Sequence, residues 1–119
     1  MCSVLIVEDD RSNLLLFTRI LTMYGYKIYG AINAEEAMNT LEHTRPDAIL
    51  MDLRLPGGVD GISLTKTLKQ DVNFANIPII AVTANDIWSK NVRSAGFDGY
   101  FQKPVNLQEL RSDLKRVTS

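Results

Sequence analysis

The chain has 119 residues, a formal net charge of −1 and a pI near 5.7, enough for one sizeable core and too little for two, which sets the expectation of a single domain over residues 1–119. The balanced charge leaves no broad basic field for nucleic acid. No apolar run nears the roughly 18 residues of a membrane-spanning helix, "MCSVLIVEDD" turns acidic too early for a secretion signal, and Cys2 stands alone, so a cytoplasmic protein is expected, with Cys2 packed as a small hydrophobe.

From the N-terminus, "SVLIV" (Ser3 to Val7) reads as a first strand, broken by "EDD" and followed by a helix beginning near Ser12. A second strand, "KIYGAI" (Lys27 to Ile32), leads into a helix with Ala34, Ala37, Met38 and Leu41 on one stripe, Asn33 as its N-cap and Glu36 answering as in a capping box. "AILM" (Ala48 to Met51) is the third strand. "IPIIAVT" (Ile77 to Thr83) is the fourth, and a weakly patterned helix follows around Trp88, Val92 and Ala95. "GYFQ" (Gly99 to Gln102) is the fifth, and the last helix carries Leu107, Leu110, Leu114 and Val117 on one face behind an Asn106 cap with Glu109.

Alternating strands and helices without linker or repeat predict an α/β fold. "VLIV", "AILM" and "IIAV" are continuously apolar, as strands covered on both faces must be, whereas "KIYGAI" and "GYFQ" mix in polar residues and suit the edges. With right-handed crossovers this selects a doubly wound, five-stranded parallel sheet of order 2-1-3-4-5. Its switch point lies between strands one and three, at whose carboxyl ends ligands bind.

The chemistry-bearing residues fall at that edge. Strand one ends in Glu8, Asp9 and Asp10, and strand three ends in Asp52, about one strand spacing of 4.8 Å away. Carboxylates so crowded raise one another's pKa unless a cation intervenes, and a hard divalent ion such as Mg²⁺, with open positions for a phosphate oxygen, answers that need. Read alone, "EDD" is equally well an N-cap and acidic first turn. Thr83 ends strand four, and Lys103, before Pro104, follows strand five. Acid, acid, hydroxyl and ammonium on successive strand ends suit phosphoryl transfer to a carboxylate, with the acyl phosphate forming on Asp52.

With "LIVEDD", "ILMDLRLP", "AVTA" and "GYFQKP" in this order, the chain resembles the receiver domain of two-component response regulators over essentially its whole length. The resemblance implies a flavodoxin-like fold with five helices. It also implies Asp52 as phosphoacceptor, Mg²⁺ bound by Asp9, Asp52 and the Arg54 backbone carbonyl with Glu8 acting through water, Thr83 on the phosphoryl group, and Lys103 paired with the site. It further implies a cis bond before Pro104 and an aromatic switch at Tyr100, which turns inward when Thr83 moves and so alters a partner-binding face. The implied partners are a histidine kinase or histidine phosphotransfer protein, and a downstream protein target reached by contact.

Two departures from the family pattern stand out. "LPGGVDG" carries one additional residue before Gly61, and the chain from Thr83 to Lys103, through "NDIWSKNVRSAG", is about two residues shorter than usual. Gly57 and Gly58 permit a bulge away from Asp52. Arg54 and Asn85 occupy positions that influence phosphoryl lifetime in the family. Trp88 and Phe101 are expected to pack, and His43 to be solvated, since no acid is placed to orient it. The rival reading is a Mg²⁺-dependent phosphohydrolase working through an aspartyl phosphate. Against it, Leu53 and Arg54 stand where a second acid would follow Asp52, and no cap segment encloses a substrate.

Overall fold

The computed structural model describes residues 2–84 and 94–119. In chain order these form β1 (Ser3–Val7), α1 (Arg11–Met23), β2 (Lys27–Ala31), α2 (Ala34–His43), β3 (Ala48–Met51), α3 (Gly61–Gln70), β4 (Ile79–Thr83), β5 (Gly99–Gln102) and α4 (Leu107–Thr118). All strand pairs are parallel, and the order is β2-β1-β3-β4-β5, as composition predicts. Four helices lie among the described residues against the five expected. The fifth, expected around Trp88, Val92 and Ala95, falls on a stretch of which Asn85, Trp88 and Val92 lie outside the described residues, while Ala95 is described and buried.

Two strands start or stop inside their expected bounds. Ile32 leaves β2 because its N–H turns to the Glu36 carboxylate at 3.0 Å while Asn33 Oδ1 accepts from Glu36 N at 2.8 Å; Glu36 thus answers the cap, but at the N–H one residue before Asn33 and not at the cap's own. Ile77 stays outside β4 because its N–H closes a turn on Phe74 O at 3.0 Å, and Pro78 has no N–H to offer.

Strand alternation divides the core into two layers. Leu5, Val7, Ile49 and Met51 point to one face, where Ala37 and Leu41 of α2 and Leu64 and Leu68 of α3 cover them. Val4, Ile6, Leu50 and Val82 point to the other, under Phe17 and Leu21 of α1 and Leu110 and Leu114 of α4. β1, β3 and β4 are thus buried on both sides while β2 and β5 are half exposed. Cys2 and Phe101 pack against the second layer. His43 is exposed, its ring nitrogen on Asn39 O, in line with a solvated histidine.

Candidate functional site

The sheet's hydrogen-bond ladder runs one residue past the strands at their carboxyl ends. Glu8 N donates to Ala31 O at 2.9 Å, Asp52 N to Val7 O at 3.0 Å, and Lys103 N to Thr83 O at 2.8 Å. These bonds root the side chains that follow β1, β3 and β5 at one edge of the sheet. Of the four buried polar or charged side chains among the described residues, three are here: Glu8 at 2 % exposure, Asp52 at 7 % and Thr83 at 1 %. Uncompensated, such burial of charge is strongly unfavourable.

Lys103 supplies the compensation. Its ammonium donates to Glu8 Oε1 and, at 3.3 Å, to Asp52 Oδ2. The second Asp52 oxygen, Oδ1, accepts from Arg54 N at 3.1 Å, and Glu8 Oε2 accepts from Asp10 N at 3.3 Å. Each acid is therefore held at both oxygens, which leaves the carboxylate planes little freedom. The Lys103–Pro104 peptide is cis.

Burial pushes the Glu8 carboxyl up, its hydrogen bond to Asp52 adds to this, and Lys103 offsets only part, leaving it at about 7. Burial alone would lower the Lys103 ammonium, but Glu8 and Asp52 outweigh it and hold it above its usual value. The folded chain thus binds a proton at Glu8 that the unfolded chain, with a value of 4.5, releases earlier. Stability contributed by this group is full below pH 4.5 and is lost as pH rises to about 7. Urea unfolding in EDTA between pH 4.5 and 8 should show that decline, and Glu8→Gln should flatten it; an unchanged slope in the variant would assign it elsewhere.

Asp9 is exposed beside this pair, and one carboxylate oxygen from each of Glu8, Asp9 and Asp52 lies within 4.8 Å of the others. An all-oxygen donor set of that compactness, facing solvent on one side, fits a hard divalent cation. Asp10 does not join it. Its Oδ1 accepts from Ser12 N at 2.9 Å and Asn13 N at 3.2 Å as the N-cap of α1, so the capping reading of "EDD" is right for its last acid and the site takes the other two.

A family model for the response regulator receiver domain matches residues 4–115. The chain belongs to the response regulator receiver family. The polar-differentiation response regulator DivK of Brucella anthropi is 37 % identical over 115 residues, covering 95 % of this receiver and 93 % of DivK. The receiver domain of a sensor histidine kinase from Pseudomonas aeruginosa, crystallised with magnesium coordinated in its active-site cleft, aligns with a TM-score of 0.89 at 36 % identity, covering 99 % of this chain and 98 % of that one. The response regulator TrrA of Thermotoga maritima, solved with Mg²⁺ and BeF, aligns at 0.88 with 26 % identity, covering 98 % and 99 %. A phosphoacceptor in two-component signalling is the function of such a domain.

Other expected positions of the receiver lie around this crevice. Arg54 is exposed one turn beyond Asp52. Tyr100, half-buried on β5 and paired in register with Ala81, is one of the hydrophobics, with Ile62 and Phe97, packed against the small cluster of Leu53 and Ala81. Gly57 and Gly58 use the backbone freedom expected of them: their φ values are 91° and 87°, both are exposed, and a Cβ on either would meet nothing within 4 Å. Sequence reasoning missed the part played by Gly61. A glycine directly behind an N-capping Asp60 is a poor helix opener, and that mismatch was the available signal.

Proposed function

We propose that residues 1–119 act as a receiver domain in the cytoplasm that takes a phosphoryl group from a histidine kinase or histidine phosphotransfer protein onto Asp52 and then engages a downstream protein by contact. The observation that supports this reading best is the convergence of Lys103 on the buried Glu8 and Asp52, with Asp9 at the rim.

In this reading an Asp52 oxygen forms a bond to phosphorus while the bond from phosphorus to the donor's imidazole nitrogen breaks, its electron pair leaving with the imidazole. Lys103 stays an ammonium throughout and balances charge on the Asp52 carboxylate and the arriving oxygens. The Thr83 hydroxyl donates to a phosphoryl oxygen. Asp9, Asp52 and the Arg54 carbonyl would hold Mg²⁺, with Glu8 acting through water; the ion, when bound, supplies the charge neutralisation that three crowded acids and a phosphoryl group require. Movement of Thr83 toward the phosphoryl group leaves room for Tyr100 to turn inward, changing the face around β5 and α4. The chain promotes only its own phosphorylation and dephosphorylation.

Incubation with a small acyl phosphate and Mg²⁺, followed by intact-mass measurement, should give one phosphate-sized adduct per chain that EDTA prevents. Sustained hydrolysis of small phosphomonoesters with no adduct would instead favour the phosphohydrolase.

A further inference from the structure

The start of α3 lies against the backbone of the acceptor. A Cβ placed on Gly61 would stand 2.0 Å from the Asp52 carbonyl oxygen and 2.8 Å from Leu53 Cα. Both are main-chain atoms, so neither can rotate aside as a side-chain tip would. Gly61 N also donates to Leu53 O at 2.9 Å, and Asp60 Oδ1 caps the helix by accepting from Ser63 N at 2.7 Å. The first turn of a helix 10 residues long is thereby clasped to residues 52 and 53. The loop between them leaves from Leu53 O and returns at Gly61 N.

We propose that Gly61 is a positioning residue for the acceptor: it lets the α3 N-terminus press on the Asp52 peptide, and so sets the Asp52 carboxylate and the Arg54 main chain relative to Glu8, Asp9 and Lys103. Arg54 N donates to Asp52 Oδ1 across the same short turn, so a displacement of the Asp52 carbonyl rotates the turn that holds the carboxylate. The clasp also explains how the longer loop is tolerated. Because the chain is tied at Leu53 and Gly61, the additional residue is taken up at Gly57 and Gly58, in open space. The inference rests on Asp52 being the phosphoacceptor.

Three variants test it. Gly61→Ala must move backbone at Asp52, so where it remains folded its Mg²⁺ affinity by calorimetry and its labelling rate with an acyl phosphate should each fall by about tenfold or more. Gly58→Ala is strained at φ 87° but touches nothing; it should lose stability while keeping both values within about twofold of wild type. Removal of Gly58 leaves the Leu53 to Gly61 closure in place and should keep both values as well. Wild-type Mg²⁺ affinity and labelling in folded Gly61→Ala would overturn the inference. If Gly61→Ala does not fold, the Gly58 deletion decides: loss of Mg²⁺ binding and labelling there would show that loop length, not the clasp, sets the acceptor. A wild type that takes no label fails the phosphoacceptor reading instead.

Discussion

Asp52→Asn is expected to lose the phosphate adduct completely, a drop of at least about 10³-fold in labelling and so about 4 kcal/mol or more in transition-state free energy. An amide oxygen is a poor nucleophile and would leave a charged, unstable product. The fold should survive. The amide keeps one acceptor oxygen, for either Lys103 or Arg54 N, which bond different oxygens of Asp52 here, and its NH2 can donate to Glu8, the carboxyl hydrogen-bonded to Asp52. Removing the Asp52 charge also relieves Glu8, whose carboxyl is raised by burial first and by its bond and charge interaction with Asp52 next. The variant should therefore be at least as stable as wild type at pH 7.5, with Glu8 titrating below about 7. Intact mass and urea unfolding measured on the same sample give both readouts. Equal labelling of wild type and variant would remove Asp52 as the acceptor.

Lys103→Met carries the second large effect, because it withdraws the cation that two buried acids share. Breaking a buried ion pair from one side is destabilising by about 3 to 5 kcal/mol. Here Glu8 can take up a proton, which caps the loss, so about 3 kcal/mol is expected at pH 8. At pH 5 Glu8 is already neutral in the folded protein, its value being about 7, and the loss should shrink to about 1 kcal/mol. Mg²⁺ affinity should rise as the competing ammonium disappears, while labelling slows by about 10²-fold for want of charge on the phosphoryl oxygens. Equal destabilisation at pH 5 and pH 8 would mean that the Lys103 stem, not its charge, supports the site.

Much of this architecture was legible in the residues. Continuous apolar runs marked β1, β3 and β4 as central because a strand sandwiched between helix layers has no polar face. Asn33 and Asn106 marked the starts of α2 and α4 because an N-cap satisfies donors within three residues of itself. The edge that collects Glu8, Asp9, Asp52, Thr83 and Lys103 followed from strand order alone, since parallel strands all end on the same side. Each of these features is local, or needs only the direction of a strand.

Other features depend on distances across the chain that no neighbouring letters encode. Which acid of "EDD" caps α1 depends on where α1 begins; its start at Arg11 makes Asp10 the cap and leaves Glu8 and Asp9 to the crevice. The elevated Glu8 carboxyl arises from burial and from Asp52, 44 residues away in the chain, with Lys103, 95 residues away, offsetting part of it. Gly61 opens α3 despite its low helix propensity, and its close approach to the Asp52 carbonyl exists only once α3 is laid against the end of β3. Periodicity and capping act over a few residues and so are written in the chain, whereas desolvation, charge pairing and steric clearance are set by whatever folding brings within a few ångströms.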